Sequence, residues 1–164
     1  MPEPVSPQPA SPFRTPDDAA RALARGLLAR PHAALATLDA TGAPAISRIA
    51  LGRAPGGRLL TLISDLAAHA QALERDPRCA LLLGEPGERG DPLTHPRLSL
   101  SCTAEPLERE EGLRAAWLAD HPKAKLYVDF ADFRFTAFRV TAASLNGGFG
   151  KAYHLTAEDL GLPA

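Results

Sequence analysis

The chain has 164 residues, of which 45% are hydrophobic, enough for a single domain with a sizeable core. A formal net charge of −1 excludes a general nucleic-acid binder, which needs a clustered positive excess to neutralise a phosphate backbone. No apolar run approaches the roughly 20 residues that span a bilayer, and the N-terminus lacks the charged and apolar regions of a secretory signal, so a soluble, cytoplasmic protein without a membrane partner is expected.

"MPEPVSPQPASP" carries five prolines in twelve residues and almost nothing to bury, which marks residues 1–15 as a disordered leader and 16–164 as the folded domain. In "TPDDAARALARGLLAR", Thr15 can cap a helix, Pro16 suits its first position, Asp17 and Asp18 sit at the positive end of the dipole, and Leu23 and Leu27 share a face. "AALATL", "AISRIAL" and "RLLTLI" follow as three strands joined by short turns at Gly42–Pro44 and "APGG". Connections this short make consecutive strands antiparallel, and if the second and third pair, the end of the third brings Ser64 within reach of the second.

A helix is expected over 65–75, then a fourth strand at "RCALLLG" and a fifth at "RLSLSCTAEPL". The fifth alternates: Leu98, Leu100, Cys102 and Ala104 on one side, Arg97, Ser99, Ser101 and Thr103 on the other, so one face is core and the other is wet or occupied. Residues 108–119 read as a helix, and "HPKAKLYVDFAD" holds a short second one. In "FRFTAFRVTAA" the phase of Phe133 and Phe135 differs from that of Phe138 and Val140, which predicts a bulge near Thr136 and Ala137. "GGFGKAYHL" makes a last strand and Thr156 caps a terminal helix at "AEDL". The sum is an α+β or mainly β fold, a six- to seven-stranded antiparallel split barrel with peripheral helices.

Cys79 and Cys102 lie in strand-like segments and read as buried thiols of a reducing compartment. The five histidines, at 32, 69, 95, 121 and 154, show no ligand spacing, and no metal site is expected. Chemistry is sought instead at "LLTLISDLAAHAQAL", where a strand hands over to a helix near Ser64 and His69. Such a junction presents free N–H groups and the positive end of a helix dipole to an anion, although a serine there is also an ordinary cap. Asp65 beside a phosphate is unfavourable unless its side chain turns away. Alternation sends Arg48 out of the barrel core between Ile46 and Ala50, and its guanidinium fork suits a phosphate or carboxylate.

The order "PAISRIAL", "LLTLISDLAAHAQAL", "PRCALLL", "HPRLSLSCTAEPL" and "NGGFGKAYHL" resembles the FMN-binding split-barrel family typified by pyridoxamine 5'-phosphate oxidase, most of all its haem-utilisation (HugZ) branch. The resemblance implies a homodimeric, FMN-binding flavoprotein with oxidoreductase potential. It makes Arg48 and Ser64 phosphate contacts, puts Ala68, His69 and Ala70 on the segment that wraps the phosphate, brings Arg97 and Ser99 to the flavin ring, and sends Phe149 and Lys151 toward the cofactor of a neighbouring subunit. Relatives often carry a hydroxyl residue followed by Arg or Lys and Asn after the histidine, where this chain has Ala70, Gln71 and Ala72. With 5% aromatic residues, Phe149 and Trp117 are the ring neighbours on offer, though either can equally be a core residue, and Trp117 suits the core better. No residue stands out as acid, base or nucleophile, which suits a site where the flavin carries the chemistry. Two other readings stay open: a haem-binding or haem-utilisation protein, and a flavin-free dimeric binding or regulatory module. Efficient haem breakdown is not expected, because in the branch a histidine beyond this chain's last residue, Ala164, serves the iron.

Overall fold

The computed structural model describes residues 11–163; most of the expected leader lies outside this range. Nine strands and three helices follow in the order β1 (Phe13–Arg14), α1 (Asp18–Leu28), β2 (His32–Leu38), β3 (Pro44–Ala50), β4 (Gly52–Arg53), β5 (Leu59–Ser64), α2 (Ala68–Arg75), β6 (Arg78–Leu83), β7 (Arg97–Pro106), α3 (Glu111–Asp120), β8 (Phe133–Asn146) and β9 (Ala152–Leu155). The sheet runs β1-β9-β8-β7-β6-β2-β3, and β5 joins it by pairing with both β4 and β8. All pairings are antiparallel except that of β1 with β9. This is the expected split barrel, with two more strands than the sequence suggested because β1 and β4 are only two residues long.

The element boundaries shift for local reasons. Asp17, not Thr15, caps α1: its Oδ1 accepts from Ala20 N at 2.8 Å. The second helix in "HPKAKLYVDFAD" is a 3₁₀ turn over Pro122–Leu126. The terminal "AEDL" is a hydrogen-bonded turn closed by Thr156 and Asp159 rather than a helix.

The second and third strands, now β3 and β5, do not pair. β3 pairs with β2, β5 with β4 and β8, and the link between β3 and β5 is a side-chain bond from Thr61 Oγ1 to Ala50 O at 2.8 Å. Only Leu51 separates β3 from the two-residue β4, and β4 is the strand that pairs with β5 across the following turn.

The bulge in β8 is also elsewhere, opposite Ser101 and Cys102, where Thr141 is skipped in the register with β7. Phe135 and Phe138 need no phase change because both faces of this strand are covered. Phe138 packs into the barrel core with Leu35, Leu59, Leu98 and Leu100, while Phe135 packs with Trp117, Leu60 and Val128 in a second cluster under α3.

Cys79 and Cys102 are direct cross-strand partners on the core side of β6 and β7. Burial pushes both thiols up to about 12. Since the thiolate is the nucleophile, both are expected to react with a disulfide reagent at pH 8 on the order of a hundredfold or more slowly in the native protein than in denaturant. A thiol titration with and without guanidinium measures this, and equal rates would contradict the packing.

Candidate functional site

Ser64 ends β5 and does not cap α2. Its hydroxyl donates to Asp132 Oδ2 at 2.6 Å and accepts from Leu66 N at 3.2 Å, so it closes the turn before the helix. The residue at the cap is Ala67, which offers no side-chain bond, and the N–H groups of Ala68 and His69 are left without a backbone acceptor. Asp65 has turned away from the helix mouth: its Oδ1 lies 2.8 Å from Arg134 Nε, and Arg134 Nη2 donates to Ala70 O at 3.3 Å. Nothing local in the sequence marks Arg134, because its place beside Asp65 comes from the long-range pairing of β8 with β5, where it lies opposite Ile63.

The rest of the expected phosphate segment offers little to an anion. Ala70 and Ala72 are buried, Ala70 against the barrel core. His69 is half-buried, and desolvation lowers its pKa, which favours the neutral imidazole. The segment thus supplies two main-chain donors and no cation.

Arg48 stands apart from this helix mouth, in a groove of about 210 Å³ where β2, β3 and the end of β6 meet. Its Nη2 lies 3.1 Å from Glu85 Oε1, and His32 Nε2 lies 3.3 Å from the same oxygen. Arg30 lines the groove as well, and its guanidinium has no partner among the described residues. Leu82, Ala33, Ala34 and Pro86 form the apolar walls. Ser64 is not part of it. The alternation that freed Arg48 was legible, but the partners were not, since Glu85 comes from the loop after β6.

The groove opens onto the outer face of the sheet. One register row there is Arg48, Ala34, Leu82, Ser99, Ser144 and His154, and the next is Ile46, Ala36, Ala80, Ser101 and Ala142. Apart from Leu82, the residues between the ends of these rows are alanine and serine, so the surface is low and nearly without charge. Ile46 is 78% exposed and Leu82 45%. The longer row crosses six strands, which at about 4.8 Å spacing makes the face roughly 24 Å wide.

Arg97 lies at one end of this face opposite Asn146, its Nη1 donating to Leu93 O at 3.0 Å. Ser99 is exposed in the first row. Phe149 and Lys151 sit in the β8–β9 turn, where Gly147 N donates to Lys151 O at 2.7 Å and Gly148 takes a φ of 118°. Phe149 is 97% exposed. Trp117 is fully buried and is a core residue, not a ring neighbour of any ligand on this face.

A family model described as Pyridoxamine 5'-phosphate oxidase matches residues 17–147. The chain belongs to the pyridoxamine 5'-phosphate oxidase family. Within reach of it are proteins named for haem. It is 30% identical over 115 residues to "Non-canonical heme oxygenase HOZ, chloroplastic" from Arabidopsis thaliana, covering 68% of this chain and 34% of that protein. A solved heme binding protein from Mycobacterium smegmatis is 32% identical with a TM-score of 0.77, over 90% of this chain and 61% of its own. HutZ, a heme storage protein from Vibrio cholerae, shares the fold with a TM-score of 0.58 at 22% identity, over 77% of this chain and 91% of its own. The chain thus spans about a third of the oxygenase and less than two thirds of the mycobacterial protein. Among the described residues no helix is long and apolar enough to cross a membrane.

Proposed function

We propose that this protein is a haem-binding homodimer of the pyridoxamine 5'-phosphate oxidase family. A second copy covers the outer sheet face, and the tetrapyrrole lies against that face with its carboxylates at the arginines. The observation that carries the reading is the pairing of a flat surface of mostly alanine and serine, with Leu82, and a groove lined by Arg30, Arg48 and His32 at its edge. A planar macrocycle needs such a wall, and its propionates need cations where the wall ends. Two relatives of at least 30% identity with haem in their names support it. Haem would supply a redox-active iron whose behaviour depends on its axial ligand and surroundings. The chain's own residues supply the wall, the carboxylate contacts and the exclusion of water.

Titrating the protein with haemin and following the Soret band tests this. Saturable binding near one haem per site is expected, with Arg48→Ala weakening it about tenfold through loss of a charge-assisted contact. A featureless titration, or an Arg48→Ala variant with unchanged affinity, would count against the reading.

A second reading is an FMN-dependent oxidoreductase, with the phosphate at the start of α2 between Ser64 and His69 and the ring approached by Arg97, Ser99, Phe149 and Lys151. The two free N–H groups of Ala68 and His69 favour it. Fluorescence quenching of FMN under the same conditions discriminates: micromolar or tighter FMN binding with no haemin binding would put this reading first.

A further inference from the structure

Glu85 stands at the base of a closed loop. Gly84 has a φ of 101°, and a Cβ built on it would come within 2.4 Å of Pro96 O and 3.0 Å of Arg97 Cα, so the two ends of residues 85–95 touch. A single side chain fills the ring they form. His95 Nδ1 accepts from Gly87 N at 3.1 Å, and its Nε2 meets Arg89 O at 2.9 Å, which sets the tautomer with the proton on Nε2. A Cβ built on Gly87 or Gly90 would meet the same imidazole at 3.1 or 3.9 Å, so both positions lie close to the ring. Asp91 secures the far limb by accepting from Leu93 N at 2.9 Å. Compact loops with touching ends packed around their own side chains are a known functional device.

What the loop holds out is one carboxylate. Its Oε1 takes both Arg48 and His32, and Arg30, which has no ion-pair partner among the described residues, also lines the groove. The groove therefore has more cationic capacity than its resident acid uses. Arg48 and Glu85 are 75% and 61% exposed at their side chains, so the pair is a weak, exchangeable one.

We infer that Glu85 is a stand-in for a ligand carboxylate: the groove of Arg30, His32 and Arg48 is an anion site that the protein's own loop fills until a carboxylate-bearing ligand displaces it. The inference rests on the proposed function for the identity of that ligand, a haem propionate, and not for the existence of the site. Glu85 competes at the effective concentration the loop imposes, so weakening the competitor strengthens the ligand. His95 sets that concentration without touching the groove.

Three proteins are compared, the wild type, Glu85→Gln and His95→Phe, each titrated with haemin and with haemin dimethyl ester, which has no free carboxylate. Both variants are expected to bind haemin about three- to tenfold more tightly than wild type and to bind the ester no differently. Citrate is the haem-independent probe: in amide NMR spectra it is expected to shift Gly84 and Gly87 in the wild type and not in Arg48→Ala. Equal affinities of wild type and both variants for haemin, or ester binding as tight as haemin binding, would overturn the assignment while leaving haem binding intact. If haemin does not bind at all, the proposed function falls. The site then stands or falls on citrate alone, surviving if the loop amides respond and overturned if they do not.

Discussion

Replacing Ala80 with arginine is expected to give a monomer of 17.3 kDa in place of the proposed dimer. Ala80 lies in the middle of the outer sheet face, in register with Ala36 on one side and Ser101 on the other. The whole row has no side chain longer than Ile46 and no charge, so two copies can approach closely across it. A two-fold axis places every substitution in the interface twice. Each arginine would lose its hydration without gaining a counter-charge, at a cost on the order of several kcal/mol per ion even after relaxation. That exceeds what a standard interface keeps in reserve at micromolar concentration. Leu126→Arg is the matched control: Leu126 is 80% exposed but belongs to the turn after α3, away from this face, and the dimer should be unchanged. Light scattering on the three proteins reads the result. A monomeric wild type, or an Ala80→Arg dimer as stable as the wild type, would remove the assembly on which the haem reading depends.

The reach of the sequence here follows from which surfaces are one-sided. β7 was legible residue by residue because Leu98, Leu100, Cys102 and Ala104 face the core while Arg97, Ser99 and Ser101 do not, and an alternating strand announces its own orientation. β8 was not, since Phe135 and Phe138 are both buried on opposite sides, and a strand covered twice has no alternation to read. The same holds for β5, where Leu59 and Ile63 enter one cluster and Leu60 and Leu62 the other.

At the site, the difference is between a side chain's direction and its partner. Alternation alone sent Arg48 outward, as found. Its counter-ion depends on a loop whose path is set by Gly84 crossing Pro96 and by His95 bonding Gly87 and Arg89, none of which has a local sequence period. Ser64 shows the converse. Its position before a helix suggested a cap, but Asp132, 68 residues away, takes its hydroxyl first. Order and spacing of the motifs carried the family assignment, because they encode the barrel as a whole rather than any one contact.

Trp117→Ala is expected to destabilise the protein by about 3–5 kcal/mol, a large share of the 5–15 kcal/mol typical of a domain. Trp117 is fully buried at the centre of the second cluster, with its ring 4.2 Å from His121 and 6.2 Å from Phe135 between centroids. It also backs β4: a Cβ on Gly52 would meet its ring at 3.2 Å, so tryptophan and glycine are fitted to each other. Truncation leaves a cavity that α3 cannot close, because bidentate Arg114–Asp129 bonds of 2.9 and 2.8 Å pin that helix to the segment before β8. Trp117→Phe should cost clearly less. It keeps most of the ring and removes Nε1, a buried donor with no hydrogen-bond partner, whose desolvation the native protein already bears. Phe149→Ala supplies the contrast, since a side chain 97% exposed has nothing to lose in the monomer. Urea melts of the three variants test the order Trp117→Ala, then Trp117→Phe, then Phe149→Ala, from most to least destabilised. Trp117→Ala melting with the wild type would mean that the second cluster is not a core, and that the tryptophan is free to serve a ligand after all.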